Sequence, residues 1–118
     1  MAITANQLSG LKTASIDFVE TDRIKKKFAQ LRTERNPFYL AKEEFEEILH
    51  WKLRNQYGRQ KDYRSPNTDE IIRIITSTAF NIQHDESEYE LELRIKILTS
   101  LRGVGIPVAS AILALVFP

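Results

Sequence analysis

The stretch LTSLRGVGIPVASAILALVFP, residues 98–118, decides the fold. Two glycines and a proline break an otherwise apolar helical pattern here. Leu101-Arg102-Gly103-Val104-Gly105 reads as a tight turn, with one helix ending near Ser100 or Leu101 and a second starting around Pro107. Proline's fixed φ and missing amide suit a first helical turn. Glycine on both sides of Val104 gives the backbone access to positive φ and leaves its peptide groups unshielded. Bare amides beside a helix N-terminus, with its partial positive charge, form a geometry that takes an anion. Val104 is expected to point back between the two helices and Ala109 to let them approach closely. Ile112 and Leu113 continue the buried face of the second helix.

Working outward, the rest of the chain reads as helices. From Asp22, the spacing Ile24, Phe28, Leu31 gives an amphipathic helix that ends near Asn36-Pro37, with Lys25 to Lys27 facing water. FYLAKEEFEEILHWKL predicts a second helix with Phe45, Ile48, Leu49 and Leu53 on one face, and with Glu43 and Glu44 in the first turn, where the helix dipole favours acids. NQYGRQKDYRSPN reads as a connection whose first part could be helical. A third helix is predicted to start from Asn67 as N-cap with Glu70 completing a capping box, and to bury Ile71, Ile74, Ile75 and Thr78 or Ala79. YELELRIKILTSL alternates like a strand, but Asp85 and Glu88 supply a second capping signal. That favours a helix with Leu91, Ile95, Leu98 and Leu101 inward. The expected architecture is a single all-α domain over residues 1–118, incomplete at its C-terminus, a compact bundle of five to six helices in which residues 91–116 form a hairpin of two helices.

Composition bounds the function. A charged fraction of 28% and a hydrophobic fraction of 42% over 118 residues describe a globular chain with one modest core. The absence of cysteine excludes a disulfide scaffold, thiol catalysis and cysteine-ligated metal. Residues 1–15 lack the basic and apolar regions of a secretory leader, and no apolar run approaches the roughly 20 residues that span a bilayer. A cytoplasmic protein with no membrane partner is the expectation. His50 and His84 are far apart in sequence with no third ligand implied, so no metal site is expected. The acids from Asp85 to Glu92 are accounted for by capping and solvation, and Trp51 by packing between helices.

The net charge is only +1, but residues 21–64 hold twelve Lys and Arg against seven Asp and Glu, and residues 65–118 hold four against seven. Within the basic half, Lys25, Lys26, Arg54 and Arg59, interleaved with Trp51, Tyr57 and Tyr63, are candidate contacts to a phosphate backbone. Taken alone, a solvated helix face is the plainer account of them.

LRGVGIPVASAIL, residues 101–113, resembles the helix-hairpin-helix motif: Leu101, Gly103, Val104, Gly105, Ala109, Ile112 and Leu113 match its pattern. Its G-V-G followed by a small residue is similar to that of the DNA glycosylase superfamily typified by endonuclease III. RNPFYLAKEEFEEILHWKLRN, residues 35–55, is more loosely similar to the opening of uncharacterised bacterial proteins built on that all-helical fold. The resemblance implies that Arg102, Gly103, Val104 and Gly105 hold a backbone phosphate of double-stranded DNA without reading sequence. It also allows a monovalent cation on the hairpin carbonyls and implies no other cofactor. Where bifunctional members carry a lysine that attacks the sugar, this chain has Pro107. The aspartate used in base excision falls beyond the hairpin, past Pro118, so the resemblance implies DNA binding with no catalytic residue among these 118. AILALVFP is apolar nearly all round, which calls for neighbours to bury it. The expectation is a fragment whose further helices cover this tail, with a homo-oligomer joined through the C-terminal helix as the alternative.

Overall fold

The computed structural model describes the backbone of residues 5–117 and the side chains of residues 18–117. The readings made of residues 1–15 and of Pro118 lie outside the described side chains. Among the described residues the chain forms α1 (Ala5–Glu34), α2 (Lys42–Leu53), a 3₁₀ segment (Arg54–Gln60), α3 (Asp69–Asn81), α4 (Ser87–Leu98) and α5 (Ile106–Val116), with no strand. The all-α expectation holds. No helix among the described residues is long and apolar enough to cross a membrane.

Helix α5 lies at the centre and packs against α1, α2 and α4, while α3 joins α2 to α4. Its apolar side chains Val108, Ala109, Ile112, Leu113, Leu115 and Val116 are all buried. Ala114 on the same helix and Phe117 at its end stay exposed, so the tail is covered on one side and open along the other. Part of the cover is α1, which was expected as a helix from Asp22 but starts at Ala5, and which lies against α5. At about 1.5 Å rise per residue, a helix of this length accounts for most of the 52 Å long axis of the molecule. Ile24 and Phe28 on α1 and Phe45, Ile48 and Leu49 on α2 are fully buried, as their spacing predicts. Leu31, Trp51 and Leu53 pack partly buried at the core's edge.

Polar contacts fix how the helices enter the core. Trp51 Nε1 donates to Thr21 Oγ1 at 3.0 Å, tying α2 to α1. Arg35 grips the Glu44 carboxylate with both terminal nitrogens, at 2.6 and 2.9 Å. Burial works to raise the Glu44 carboxyl, but the hydrogen bonds from Arg35 and the Ala41 amide outweigh it and hold the group below its ordinary range.

Helix α3 is rotated from its expected register, and α4 departs from its expected face at one position. Ile71 and Ile74 on α3 are 43% and 56% exposed, whereas Ile72, Thr76, Ala79 and Phe80 are buried. The isoleucines cover so much of the helix surface that apolarity alone does not choose a face. Thr76 chooses it: its Oγ1 accepts the buried Leu40 amide at 2.9 Å and donates to the Ile72 carbonyl at 2.7 Å. An unpaired buried amide is costly, so its acceptor must face inward. The N-cap is Thr68, not Asn67, with Thr68 Oγ1 accepting the Ile71 amide at 3.2 Å. In α4, Leu98 is buried and Ile95 half-buried, but Leu91 is 51% exposed because it faces a groove against α5. The expected Asp85 and Glu88 cap does not form. Glu86 occupies the N-cap without a side-chain bond, and its amide donates to His84 Nδ1 at 3.0 Å.

Candidate nucleic-acid interface

The turn between α4 and α5 is built by short-range bonds. The Leu101 amide donates to the Leu98 carbonyl at 3.1 Å and the Val104 amide to the Leu101 carbonyl at 3.2 Å. The α5 ladder then opens with the Ala109 amide donating to the Gly105 carbonyl at 2.9 Å. Leu101 and Val104 are buried, so Val104 points between the helices as its position in the sequence suggests. The helix begins at Ile106 with Pro107 in its first turn, within one residue of expectation.

The two glycines differ in what they provide. Gly103 has φ +80°, the left-handed region that side chains avoid. Gly105, the N-cap of α5, has φ −90° and ψ −178°, an extended backbone open to any residue. A Cβ at Gly103 would lie 2.8 Å from Arg64 Cγ, whereas at Gly105 it would meet only Pro107 Cδ at 3.8 Å. Positive φ is therefore required at one glycine, not both. The other leaves bare backbone at the head of α5.

Three residues of the 61–68 connection, none of them expected, brace this turn. Asn67 is buried, with its Nδ2 donating to the Arg102 carbonyl at 2.9 Å and its Oδ1 accepting the Arg102 amide at 3.1 Å. Arg64 is only 1% exposed and lies against Gly103. Both of its terminal nitrogens donate to the Tyr57 carbonyl at 3.2 Å, and Nη2 pairs with Glu46 at 3.3 Å. Its guanidinium also stacks 4.9 Å from the Tyr57 ring centre. Burial, with the nearby Glu46 charge, pushes the Tyr57 hydroxyl above its ordinary value, so it stays neutral beside the pair. Tyr63 supports the exposed Arg102 side chain, whose guanidinium carbon is 5.5 Å from the ring centre.

This bracing determines which turn amides are open. Those of Arg102 and Val104 are engaged, by Asn67 and Leu101. Val104 thus contributes packing and no free N–H, contrary to expectation, because the turn closes on itself. The amides of Gly103, Gly105 and Ile106 have no internal partner among the described residues. The Leu101 and Arg102 carbonyls each accept an internal donor, leaving one lone pair apiece for an ion.

No protein-family model, curated protein or solved structure matches this chain. The resemblance to the helix-hairpin-helix glycosylases is carried by the sequence alone, by seven matching residues from Leu101 to Leu113 and, more loosely, by residues 35–55.

The other candidate contacts are dispersed. Arg59 reaches the turn, sharing a cleft of about 300 Å³ with Gly103. Arg54 lines a separate hollow with Glu20, His50 and Trp51. Lys25 and Lys26 are exposed on α1, and Lys26 is paired with Asp22 at 2.9 Å. Asn67 escaped sequence reading because an asparagine before a helix looks like a cap. Arg64 escaped because a buried arginine has no periodic signature. Among the described residues, no group of three or more His, Asp or Glu side chains could hold a metal ion.

Proposed function

We propose that this chain is a non-sequence-specific module for double-stranded DNA, with a helix-hairpin-helix whose Gly103–Gly105 turn holds a backbone phosphate. The observation that carries the reading is the set of open amides at Gly103, Gly105 and Ile106, which stands where the α5 dipole is positive. Arg102, held on Tyr63 beside them, adds a cation. Phosphate contacts of this kind position a duplex without reading its bases. With Pro107 at the lysine position of bifunctional glycosylases, the role is binding, within DNA repair or another cytoplasmic DNA transaction, and no catalytic residue is assigned.

The test separates binding from folding. Wild-type chain titrated into a labelled duplex should bind with log K falling linearly in log salt, by about 0.9 per neutralised phosphate. Gly105→Asp places a carboxylate against that phosphate and should weaken binding at least about thirtyfold at low salt. Because aspartate is a favoured N-cap and the site has room, the same variant should be as stable as wild type or more so in urea. Unchanged DNA affinity in Gly105→Asp contradicts the proposal.

A second reading, a helical assembly domain, is favoured by a groove of about 570 Å³ between α4 and α5, lined by Leu91, Ile95, Leu113, Ala114 and Phe117. On that reading a second copy covers the groove. Sedimentation would then show a dimer at micromolar concentration without DNA affinity, where the first reading expects a monomer that binds DNA.

A further inference from the structure

We infer that the cleft between the 3₁₀ segment and the turn is a second phosphate subsite, in which Arg59 holds a neighbouring phosphate of the same duplex. The inference rests on the hairpin reading above, since it places the second phosphate by the first. The cleft is lined by Leu53, Gln56, Arg59, Gln60, Gly103 and Val108. It therefore carries one cation, two carboxamides and an apolar floor, with no carboxylate among the described lining residues. A sugar-phosphate offers the complementary surfaces: charged oxygens for the guanidinium and the amide donors, and C–H faces for Leu53 and Val108.

Arg59 differs from most arginines of the chain in being uncommitted. Arg35 is paired with Glu44, Arg64 with Glu46, Arg73 with Asp69 and Arg94 with Glu90. Arg59 is exposed and, among the described residues, has no carboxylate or aromatic ring in contact. The cleft is also held in shape before any ligand arrives. Arg64 binds the carbonyl of Tyr57 in the 3₁₀ segment and packs on Gly103, so one buried side chain joins the two walls. A site assembled in advance loses less freedom on binding.

The experiment compares three single variants with wild type on one labelled duplex of mixed sequence, over a range of salt. Arg59→Gln should lower affinity about five- to tenfold at low salt and flatten the slope of log K against log salt by about one unit. Lys61→Gln removes the same charge two residues along, outside the cleft, and should leave the slope unchanged. A wild-type slope in Arg59→Gln, or an equal loss in Lys61→Gln, overturns the subsite. If Gly105→Asp still abolishes binding in that case, the hairpin reading stands alone. Absence of salt-dependent binding by wild type overturns both.

Discussion

Gly103→Val is expected to lose about 3 kcal/mol of stability in urea unfolding. Two costs combine at this position. A β-branched residue held at φ +80° costs about 1–2 kcal/mol of backbone strain. Its Cβ would also fall 2.8 Å from Arg64 Cγ, and forcing extra atoms into a packed site costs about 1–3 kcal/mol. Arg64 cannot swing aside cheaply, because its head is fixed by the Tyr57 carbonyl and Glu46. Gly105→Ala is the control: with φ −90° and open space, it should change stability by less than about 1 kcal/mol in either direction. Equal losses at the two glycines would mean that the turn does not close on Arg64 as described.

Arg64→Ala should destabilise by a similar amount, about 3 kcal/mol. Removing one partner of a buried ion pair costs about 3–5 kcal/mol, because the other charge is left without compensation. The lower end applies, since Glu46 keeps partial solvent contact and can turn toward water. The Tyr57 carbonyl loses two donors in the same step, and the underside of Gly103 loses its packing. The two substitutions should not add. With Arg64 shortened to alanine, the obstruction to a side chain at Gly103 is gone, so the double variant should be about 1–2 kcal/mol more stable than the sum predicts. Strict additivity would place Arg64 away from the turn.

These side chains show where the fold was legible in the sequence and where it was not. The α2 stripe, the inward Val104 and the proline-started α5 follow from spacing and backbone chemistry within a few residues, and the structure places them accordingly. Features set by partners far along the chain did not show. Thr76 faces inward because of the Leu40 amide, 36 residues away, and its inward turn leaves Ile71 and Ile74 in water. Asn67 serves Arg102, 35 residues on, when its sequence neighbours suggest a cap. The buried side of α5 packs on α1, whose Ile24 and Phe28 stripe was legible but whose pairing with a helix at the far end of the chain was not. At the turn, local sequence indicates an anion-facing loop. Which amides stay open depends on Asn67, and so on tertiary structure.

The most direct measurement of the central claim is amide NMR of the wild-type chain during addition of duplex DNA at low salt. The account predicts that the Gly103, Gly105 and Ile106 resonances shift first and furthest, saturate together, and return as salt is raised. The engaged amide of Val104 should move little. Shifts confined to the α4 and α5 groove around Leu91 and Phe117, or none at the turn while DNA is bound, would contradict it.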